Sequence, residues 1–439
     1  MIFVTSTSIM QFPQAGLTQL SKSLISIRGP DSTKFLNGLL TSRLLPNVIK
    51  KKQHTISDAE LKHSNLQEII DVNTNYGLMH EDIYDPNYNI TISRDGINSM
   101  ILNSKGRVFT DCFLYCEPFH NYQNEFGSLM EEPGYLLEVD QQNTSKVMMM
   151  LKLHKLSAKV DIKPDPQFKS YYYYNDTPEF DEWLENVQIE YFKSVDPVNA
   201  IRNANSFIAN DVIFNKNFSK NIFGFAIDNR IPNFGFKFVL NEPAPKGIFA
   251  PQFQQDFLVQ EFPEELLRKR RFSNGLFETN DAVTGDSLLP FECNLDYTNG
   301  LSLDKGCYVG QELTIRTYNN GIIRKRIYPI EFFALDSDLQ DLSEIPTSTL
   351  SKLELSPLEE SEPPQEELQP PNPFGSSSKP VRKRKNSSGK ILSVYDNLGL
   401  GLLSINDVNK SPCFKVEVPT IDGNKLIGVK VTVPDWWPE

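Results

Sequence analysis

The sequence predicts an α+β protein with antiparallel sheets and a smaller all-β unit at its C-terminal end. Three observations lead to this fold class. Strand-like and amphipathic helix-like stretches alternate without the regular βαβ spacing of a parallel sheet. The chain has 439 residues, too many for one ordinary hydrophobic core, so several domains are expected. Strand patterns punctuated by glycine dominate the last part of the chain.

The first predicted domain spans residues 20–160. It opens with "LISIRGPDSTKFLNGLLTSRLL", in which a short alternating strand, a Gly29-Pro30 turn and a helix with one apolar face follow one another. "GINSMILNSKGRVFTDCFLYCEP" alternates on both sides of Gly106, which predicts a hairpin with this glycine in the turn. Residues 46–95 are polar and without a clear period, so we interpret them as a long surface insertion.

A second α+β domain is predicted over residues 161–315. Its clearest element is the helix "FPEELLRKRRFSNGLFE", with Pro263 at its start, glutamates in its first turn and the basic run 268–271 in its last turn. Gly275 is the predicted stop. This order complements the helix dipole at both ends and gives the basic run a structural explanation. Anion binding is the alternative.

Residues 316–439 contain the predicted all-β unit, which an acidic loop interrupts at about 336–385. Between Asp336 and Glu367 there are ten acidic residues and one lysine, together with several Pro and Ser. Few of these side chains can offset the entropy lost on ordering, so a disordered loop is expected. The strands "GKILSVYDNLGLGLLSI" and "LIGVKVTVPDWWPE" follow it.

Composition argues against several classes of function and indicates a compartment. The net charge of -12 and the pI near 5.1 argue against binding to nucleic acid or to an anionic membrane. No apolar run approaches the ~20 residues that a membrane span needs. Five sparse cysteines predict a reducing compartment rather than a disulfide framework. The first 30 residues are free of acids and rich in hydroxyls, as in a mitochondrial transit peptide, and residues 1–19 are the predicted presequence.

The strongest chemical signal is the stretch "LDKGCYVGQELTIRTYNNG". Cys307 follows Lys305 in a turn-forming backbone, where a cation and free amides favour a thiolate that can act as nucleophile or soft-metal ligand. The alternative is a small buried hydrophobe in a tight turn. A metal site made by the protein alone is not predicted, because CxxC and HExxH patterns are lacking and Cys112 and Cys116 would lie ~13 Å apart along a strand.

The neighbours of Cys307 each have two interpretations. Tyr308 is either a core aromatic or a stacking face for a planar ligand. Gly306 and Gly310 either permit a bend in the chain or let a ligand or partner approach the backbone closely. Glu312 either accepts hydrogen bonds from a heterocycle or is a surface charge.

The octapeptide "KGCYVGQE" resembles the signature of the YgfZ-type branch of the folate-dependent aminomethyltransferase-like (GcvT-like) proteins, whose mitochondrial members are iron-sulfur cluster assembly factors. Other stretches resemble the same family in order, over about residues 20–439. They are "GPDSTKFLNGLLT", "LNSKGRVFTD", "LHKLSAKV", "DNRIPNFGFKFV", "PFECNLD", "YNNGIIRKRI", "NLGLGLL" and "VPDWWP".

The resemblance implies a clover-like ring of two α+β domains and a C-terminal β-barrel around a central opening. It implies tetrahydrofolate in that opening, a role in late assembly of [4Fe-4S] clusters beside A-type scaffold proteins, and location in the mitochondrial matrix. Cys307 is the functional thiol that it implies, with a transient cluster contact there. The candidate folate-binding residues are Lys305, Gly306, Tyr308, Gly310, Gln311, Glu312 and Asp111, with Arg316, Arg324 and Arg326 for the anionic tail.

A true tetrahydrofolate-dependent aminomethyltransferase is the competing interpretation. In that branch an acidic residue stands at the position of Cys307 and a basic residue at that of Gln311. The paired aspartates that follow the glycine hairpin are reduced here to Asp111, preceded by Thr110. Loss of half of this carboxylate pair weakens the case for stabilising a cationic one-carbon intermediate. The expectation is therefore a non-catalytic folate-binding helper of cluster maturation, with Lys305 and turn amides keeping Cys307 nucleophilic.

Overall fold

The computed structural model describes residues 13–45, 76–84, 90–122, 132–282, 287–335, 345–351, 353–358, 387–420 and 423–438. Its strands are β1 (Ala15–Gln19), β2 (Lys22–Arg28), β3 (Leu78–Glu81), β4 (Ile90–Ser93), β5 (Ile97–Leu102), β6 (Val108–Glu117), β7 (Gly134–Asp140), β8 (Asp161–Pro164), β9 (Lys169–Asn175), β10 (Ile222–Ile227), β11 (Phe236–Leu240), β12 (Lys325–Ala334), β13 (Glu354–Pro357), β14 (Gly389–Tyr395), β15 (Leu398–Ser404), β16 (Cys413–Thr420) and β17 (Gly423–Val431). Its helices are α1 (Ser32–Asn37), α2 (Thr144–Lys155), α3 (Pro178–Val187), α4 (Pro197–Ala209), α5 (Pro251–Asp256), α6 (Glu264–Ser273), α7 (Gln311–Asn320), α8 (Thr347–Leu350) and α9 (Ile405–Lys410).

The first sheet has the antiparallel order β5-β6-β7-β2-β8. Alternation along β2 divides its side chains between two cores. Ile25 and Ile27 share a core with Leu36 of α1 and Leu151 of α2, which cover the outer face. Leu24 points the other way, into a core shared with the second sheet. The predicted strand, turn and helix at the start of the domain, and the hairpin of β5 and β6, are confirmed.

The second sheet has the antiparallel order β1-β9-β11-β10. Its strand β9 contains four consecutive buried tyrosines, which period-2 geometry sends to opposite faces. Tyr171 and Tyr173 enter a core rich in phenylalanine beneath α3, α4 and α5. Tyr172 and Tyr174 face a smaller core that includes Leu267 of α6. Continuous burial therefore replaces the polar and apolar alternation of a half-exposed strand.

The C-terminal part is a closed antiparallel barrel in the order β12-β15-β14-β13-β16-β17. Helix α6 ties it to the second sheet through the predicted basic run. Lys269 Nζ donates to Asp396 of the barrel at 2.7 Å, and Arg270 Nη2 donates to Asp176, which follows β9, at 2.5 Å. Both basic side chains are buried, so the run has a structural role. The predicted class, antiparallel α+β with a C-terminal β-barrel, is confirmed.

Two predicted domain boundaries differ from the structure. Residues 15–19, the end of the predicted presequence, form β1 and pair with β9 from Ala15 opposite Asn175 to Gln19 opposite Tyr171, while residues 1–12 lie outside the described ranges. Strand β8, assigned by the prediction to the second domain, pairs with β2 in the first sheet. Edge strands join a sheet through backbone hydrogen bonds that no local sequence pattern specifies.

The two predicted loops are also partly folded. Within 46–95, strands β3 and β4 form a hairpin with Leu78 and Ile92 fully buried. Within the acidic stretch 336–385, strand β13 pairs with β14 and β16 and completes the barrel. Strands of four residues are too short to show a clear period, which explains why the sequence pattern did not predict them. The described residues leave out 46–75, 85–89, 336–344, 352 and 359–386, which contain the remaining parts of both predicted loops.

Candidate functional site

The predicted motif forms a loop that is held against the end of α1 by Lys305. The Lys305 ammonium donates to the backbone carbonyls of Asn37, Leu40 and Ser42 at 2.7, 2.5 and 2.8 Å. These three contacts use all three N–H donors of a lysine, so none remains for the thiolate of Cys307. Lys305 therefore positions the loop and does not act directly on the Cys307 thiol as predicted.

Lys305 is half-buried, and its surroundings disfavour the charge. Burial lowers the pKa of Lys305 to about 7, the carboxylate of Glu81 opposes this effect, and the guanidinium of Arg43 adds to it. The three carbonyls act in the opposite direction, because only the ammonium form offers three donors. Burial is the larger effect, and the pKa of Lys305 lies below that of an exposed lysine.

Tyr308 and Gln311 stabilise the turn that leads into α7. Tyr308 is 8% exposed, its ring lies 4.7 Å from the Lys305 ammonium, and burial raises the pKa of Tyr308 to about 12. The Tyr308 backbone N–H donates to Gln311 Oε1 at 3.2 Å, so the side chain of the first residue of α7 closes the turn that precedes the helix. The core interpretation of Tyr308 is the one that its burial supports.

The two glycines of the motif have different environments. Gly310 has φ +80, and a Cβ at this position would lie 2.4 Å from the carbonyl oxygen of Asn103 and 3.1 Å from the Cα of Gly106. Gly106, in turn, has φ +73 in the turn between β5 and β6, so two left-handed glycines let hairpin and motif meet. A Cβ at Gly306 would meet nothing within 4 Å. Only Gly306 leaves its backbone open to approach.

Cys307 is exposed, whereas Cys112, Cys116 and Cys293 are buried and Cys413 is partly buried. Burial raises the pKa of each of the three buried thiols, well above the ordinary value for Cys112 and Cys293. The buried thiols are therefore held in the protonated, unreactive form. Among the cysteines, the motif thiol is the one that solvent and a partner can reach most freely.

The remaining motif residues do not gather around a common cavity. Glu312, Arg316 and Arg324 are exposed on α7 and just after it. Arg326 is buried and contacts Asp296 through two hydrogen bonds of 2.9 and 2.7 Å, with its guanidinium 3.8 Å from the ring centre of Tyr297. Arg326 therefore joins the barrel to the loop before the motif and is not available for an anionic ligand tail.

Asp111 belongs to a buried charge cluster around Lys22. Asp111 Oδ1 accepts hydrogen bonds from the backbone N–H of Thr279, at 2.8 Å, and from its hydroxyl. Asp111 Oδ2 lies 3.9 Å from Lys22 Nζ, which donates to Glu278 at 2.8 Å. Burial would raise the pKa of Glu278, but Arg271 and Lys22, the largest opposing charges, lower it well below its ordinary value. Glu278 therefore remains ionised in the fold.

A cavity of about 240 Å³ opens beside this cluster, between both sheets and α6. Its lining contains five cations and five carboxylates, together with Tyr172. Charged residues of the lining are Lys22, Arg230, Lys237, Arg268, Arg271, Asp140, Glu264, Glu265, Glu278 and Asp281. Arg268 is 41% exposed, and its Nε, without a hydrogen-bond partner in the described part of the chain, lies 3.4 Å from Asp281.

A smaller cavity of about 60 Å³ lies on the other side of Arg230, which lines both. His80 Nε2 lies 3.1 Å from Asp95 Oδ1 in its wall. Burial lowers the pKa of His80, but the carboxylate and carbonyl of Asp95 outweigh it and raise the pKa overall. Ser42 also lines this cavity, and its backbone carbonyl accepts a hydrogen bond from Lys305. The motif is therefore linked to the cavity wall through the backbone of Ser42. Neither lining contains a described residue of 305–312.

The residues that the sequence analysis missed are Lys22, Arg230 and Glu278. They come from three distant segments, and Arg230 Nη1 donates to Glu278 Oε1 at 3.0 Å while its other nitrogens contact Asp228 at 2.7 and 2.8 Å. The only signal available was the stretch "DNRIPNFGFKFV", which contains Asp228 and Arg230. Within the described ranges, no group of three or more His, Cys, Asp or Glu is placed to hold a metal ion. None of the described helices is long and apolar enough to cross a membrane.

Two antiparallel sheets with their helices and a closed C-terminal barrel form an aminomethyltransferase-like fold. The glycine cleavage system aminomethyltransferase T from Bartonella henselae is a solved structure with this fold, at a TM-score of 0.51 and 12% identity over 97% of this chain and 88% of that one. Residues 324–439 match the family described as CAF17, C-terminal beta-barrel domain. At 12% identity the first likeness shows the fold alone.

Relatives along the whole chain define its family. The iron-sulfur cluster assembly factor IBA57 homolog, mitochondrial, of Candida albicans is 60% identical over 98% of this chain and 100% of its own length. The corresponding protein of Debaryomyces hansenii is 54% identical over 98% of this chain and 100% of its own length. The protein of Saccharomyces cerevisiae is 31% identical over 72% of this chain and 68% of its own length. The chain belongs to the IBA57 family of mitochondrial iron-sulfur cluster assembly factors, which confirms the resemblance to that branch.

Proposed function

We propose that this protein is a helper in the maturation of mitochondrial [4Fe-4S] proteins, with Cys307 as its functional thiol. The family supports the process and the compartment, since the relatives are named mitochondrial iron-sulfur cluster assembly factors. The observation that carries the role of the thiol is its exposure on a braced loop, while three other cysteines are buried. In the proposed step the Cys307 thiol gives its proton to water, and the thiolate replaces one ligand of the partner on a cluster iron, which leaves and takes up a proton. A ligand of the acceptor protein then replaces Cys307 in the same way.

The residues around Cys307 contribute geometry to this step. Lys305 fixes the loop to the end of α1 through three carbonyls, and Gly310 lets the loop pass close to the hairpin turn. Gly306 leaves room beside the thiol for the surface of a partner. We further propose that the partner is an A-type scaffold protein, which presents or receives the cluster in the matrix.

We also propose that a reduced folate binds in the 240 Å³ cavity rather than at the motif. The donor set fits such a ligand. Carboxylates such as Glu278 can accept from the N–H groups of a pterin, and the half-exposed Arg268 can meet an anionic tail. Tetrahydrofolate supplies one-carbon units when bound, and the role of Cys307 in cluster transfer does not use one. Here Asp111 would hold Lys22 in place from behind the lining.

The test replaces Cys307 by Ser in cells that depend on this protein. We expect the activity of matrix [4Fe-4S] enzymes to fall while an enzyme without a cluster keeps its activity. Cys413→Ser is the matched control, since Cys413 is a partly buried thiol of the barrel. Full [4Fe-4S] enzyme activity in the Cys307→Ser cells would overturn the role of the thiol.

Folate binding is measured in parallel by calorimetry on the purified protein. We expect Arg268→Ala to weaken the binding of tetrahydrofolate and Arg324→Ala to leave it unchanged. The aminomethyltransferase alternative is decided by supplying folate and an aminomethyl donor. Turnover that survives Cys307→Ala would favour the enzyme over the helper.

A further inference from the structure

Helix α2 carries an apolar stripe on its outward face. Val147 and Leu151 are fully buried against the first sheet, as expected for the inner face. On the outer face Met149 and Leu153 are 76% and 70% exposed, and Leu156, just after the helix, is 89% exposed. Met149 and Leu153 are four residues apart and lie side by side along the helix, and Leu156 directly follows its last residue, with φ 43. Single exposed apolar residues are common, but three large exposed apolar side chains on one helix and its C-terminal end are typical of a contact surface.

Lysines border this stripe. Lys146 and Lys152 are exposed and Lys155 is partly exposed, and the sequence of α2 contains no acidic residue. None of the three forms an ion pair with another described residue. The protein as a whole has a net charge of -12, so this basic border is a local exception. The surface that complements it is apolar at its centre and acidic at its edge.

The stripe and the Cys307 loop lie on the same side of the first sheet. The core under the outer face contains Val147 and Leu151 of α2 together with Leu36 of α1, and Val309 packs against it. Val309 donates its N–H to the carbonyl of Gly38 at 3.0 Å, two residues after the exposed thiol. A partner seated on α2 would therefore approach the protein from the side on which Cys307 is presented.

We propose that the outer face of α2, formed by Met149, Leu153 and Leu156 with their border of lysines, is the docking surface for the cluster-carrying partner, a protein with an acidic rim around an apolar groove. This inference rests on the proposed function, because the partner is the A-type scaffold protein named there. A second copy of the chain is a poor occupant, since two lysine-bordered helices would repel each other. An anionic membrane is disfavoured by the net charge of the protein.

The test measures the affinity of the purified, full-length protein for a purified A-type scaffold protein. The double variant Met149→Gln/Leu153→Gln is expected to weaken binding at least tenfold, because exposed apolar anchors at an interface centre dominate affinity. Glutamine has a helix propensity close to those of Leu and Met, so α2 and the thermal midpoint should be unaffected. Leu258→Gln is the matched control, as Leu258 is 60% exposed outside α2.

A second pair of variants tests the charge of the partner. Lys146→Glu/Lys152→Glu is expected to weaken binding and to reduce its dependence on salt. Scaffold binding that is unchanged in both double variants would overturn the docking surface and leave the proposed function intact. If the wild-type protein does not bind the scaffold, both the docking surface and the partner fail, while the Cys307→Ser assay still reports on the thiol. Loss of self-association, or of binding to cardiolipin-containing vesicles, in the apolar variant with scaffold binding retained would also overturn the inference.

Discussion

Replacing Gly310 by Ala tests whether the glycine of the motif serves packing or ligand approach. The added Cβ would lie 2.4 Å from the carbonyl oxygen of Asn103, a backbone atom that no side-chain rotation can move away. A left-handed φ of +80 costs an alanine about 1–2 kcal/mol, and forced overlap in a packed site costs about 1–3 kcal/mol. The variant should therefore lose about 3 kcal/mol of unfolding free energy.

The matched control is Gly306→Ala in the same loop. Its Cβ would meet nothing within 4 Å, so the unfolding free energy should stay within about 0.5 kcal/mol of the wild-type value. Thermal and urea unfolding, followed by circular dichroism, report both variants. If Gly310→Ala unfolds at the wild-type midpoint, the packing argument is wrong, and the left-handed glycine must be kept for a ligand or partner instead. If Gly306→Ala lowers [4Fe-4S] enzyme activity and Gly310→Ala does not, a partner occupies the space beside Cys307.

Three further predictions concern charge and thiol chemistry. Burial lowers the pKa of Lys305 to about 7, below the ~10.4 of the unfolded chain, so the unfolded state binds more protons above pH 7. The stability difference between wild type and Lys305→Met should then grow with pH from 7 to 9, by at most about 1.4 kcal/mol per pH unit. A difference that does not change with pH would contradict this. Cys307 should be alkylated fastest in the folded protein, and mass spectrometry finding a buried thiol labelled first would refute its exposure. Glu138→Leu should cost about 3–5 kcal/mol, because it leaves the 3%-exposed ammonium of Lys237 unpaired; Glu138→Leu/Lys237→Met should recover part of that loss in urea unfolding.

The site was predictable where its chemistry is local. The octapeptide predicts Cys307 as the functional thiol, and that thiol lies on the surface of the structure. The interaction of Lys305 was predicted wrongly, since its ammonium contacts carbonyls that lie more than 260 residues earlier in the chain. Arg326 was named for an anionic tail, yet its two-bond contact with Asp296 makes it part of the frame. A sequence shows which side chains carry charge and not which of those charges are already paired.

The sequence by itself determined the class of the fold, the family and the local elements, because period, turn chemistry and helix caps act within a few residues. It also determined the thiol, since a short motif is a local property. Tertiary structure alone decided that β1 joins the second sheet beside β9, and that Lys22, Arg230 and Glu278 meet at one cavity. The reason is that backbone pairing and buried ion pairs join segments far apart in the chain, and these contacts form only when the sheets have packed.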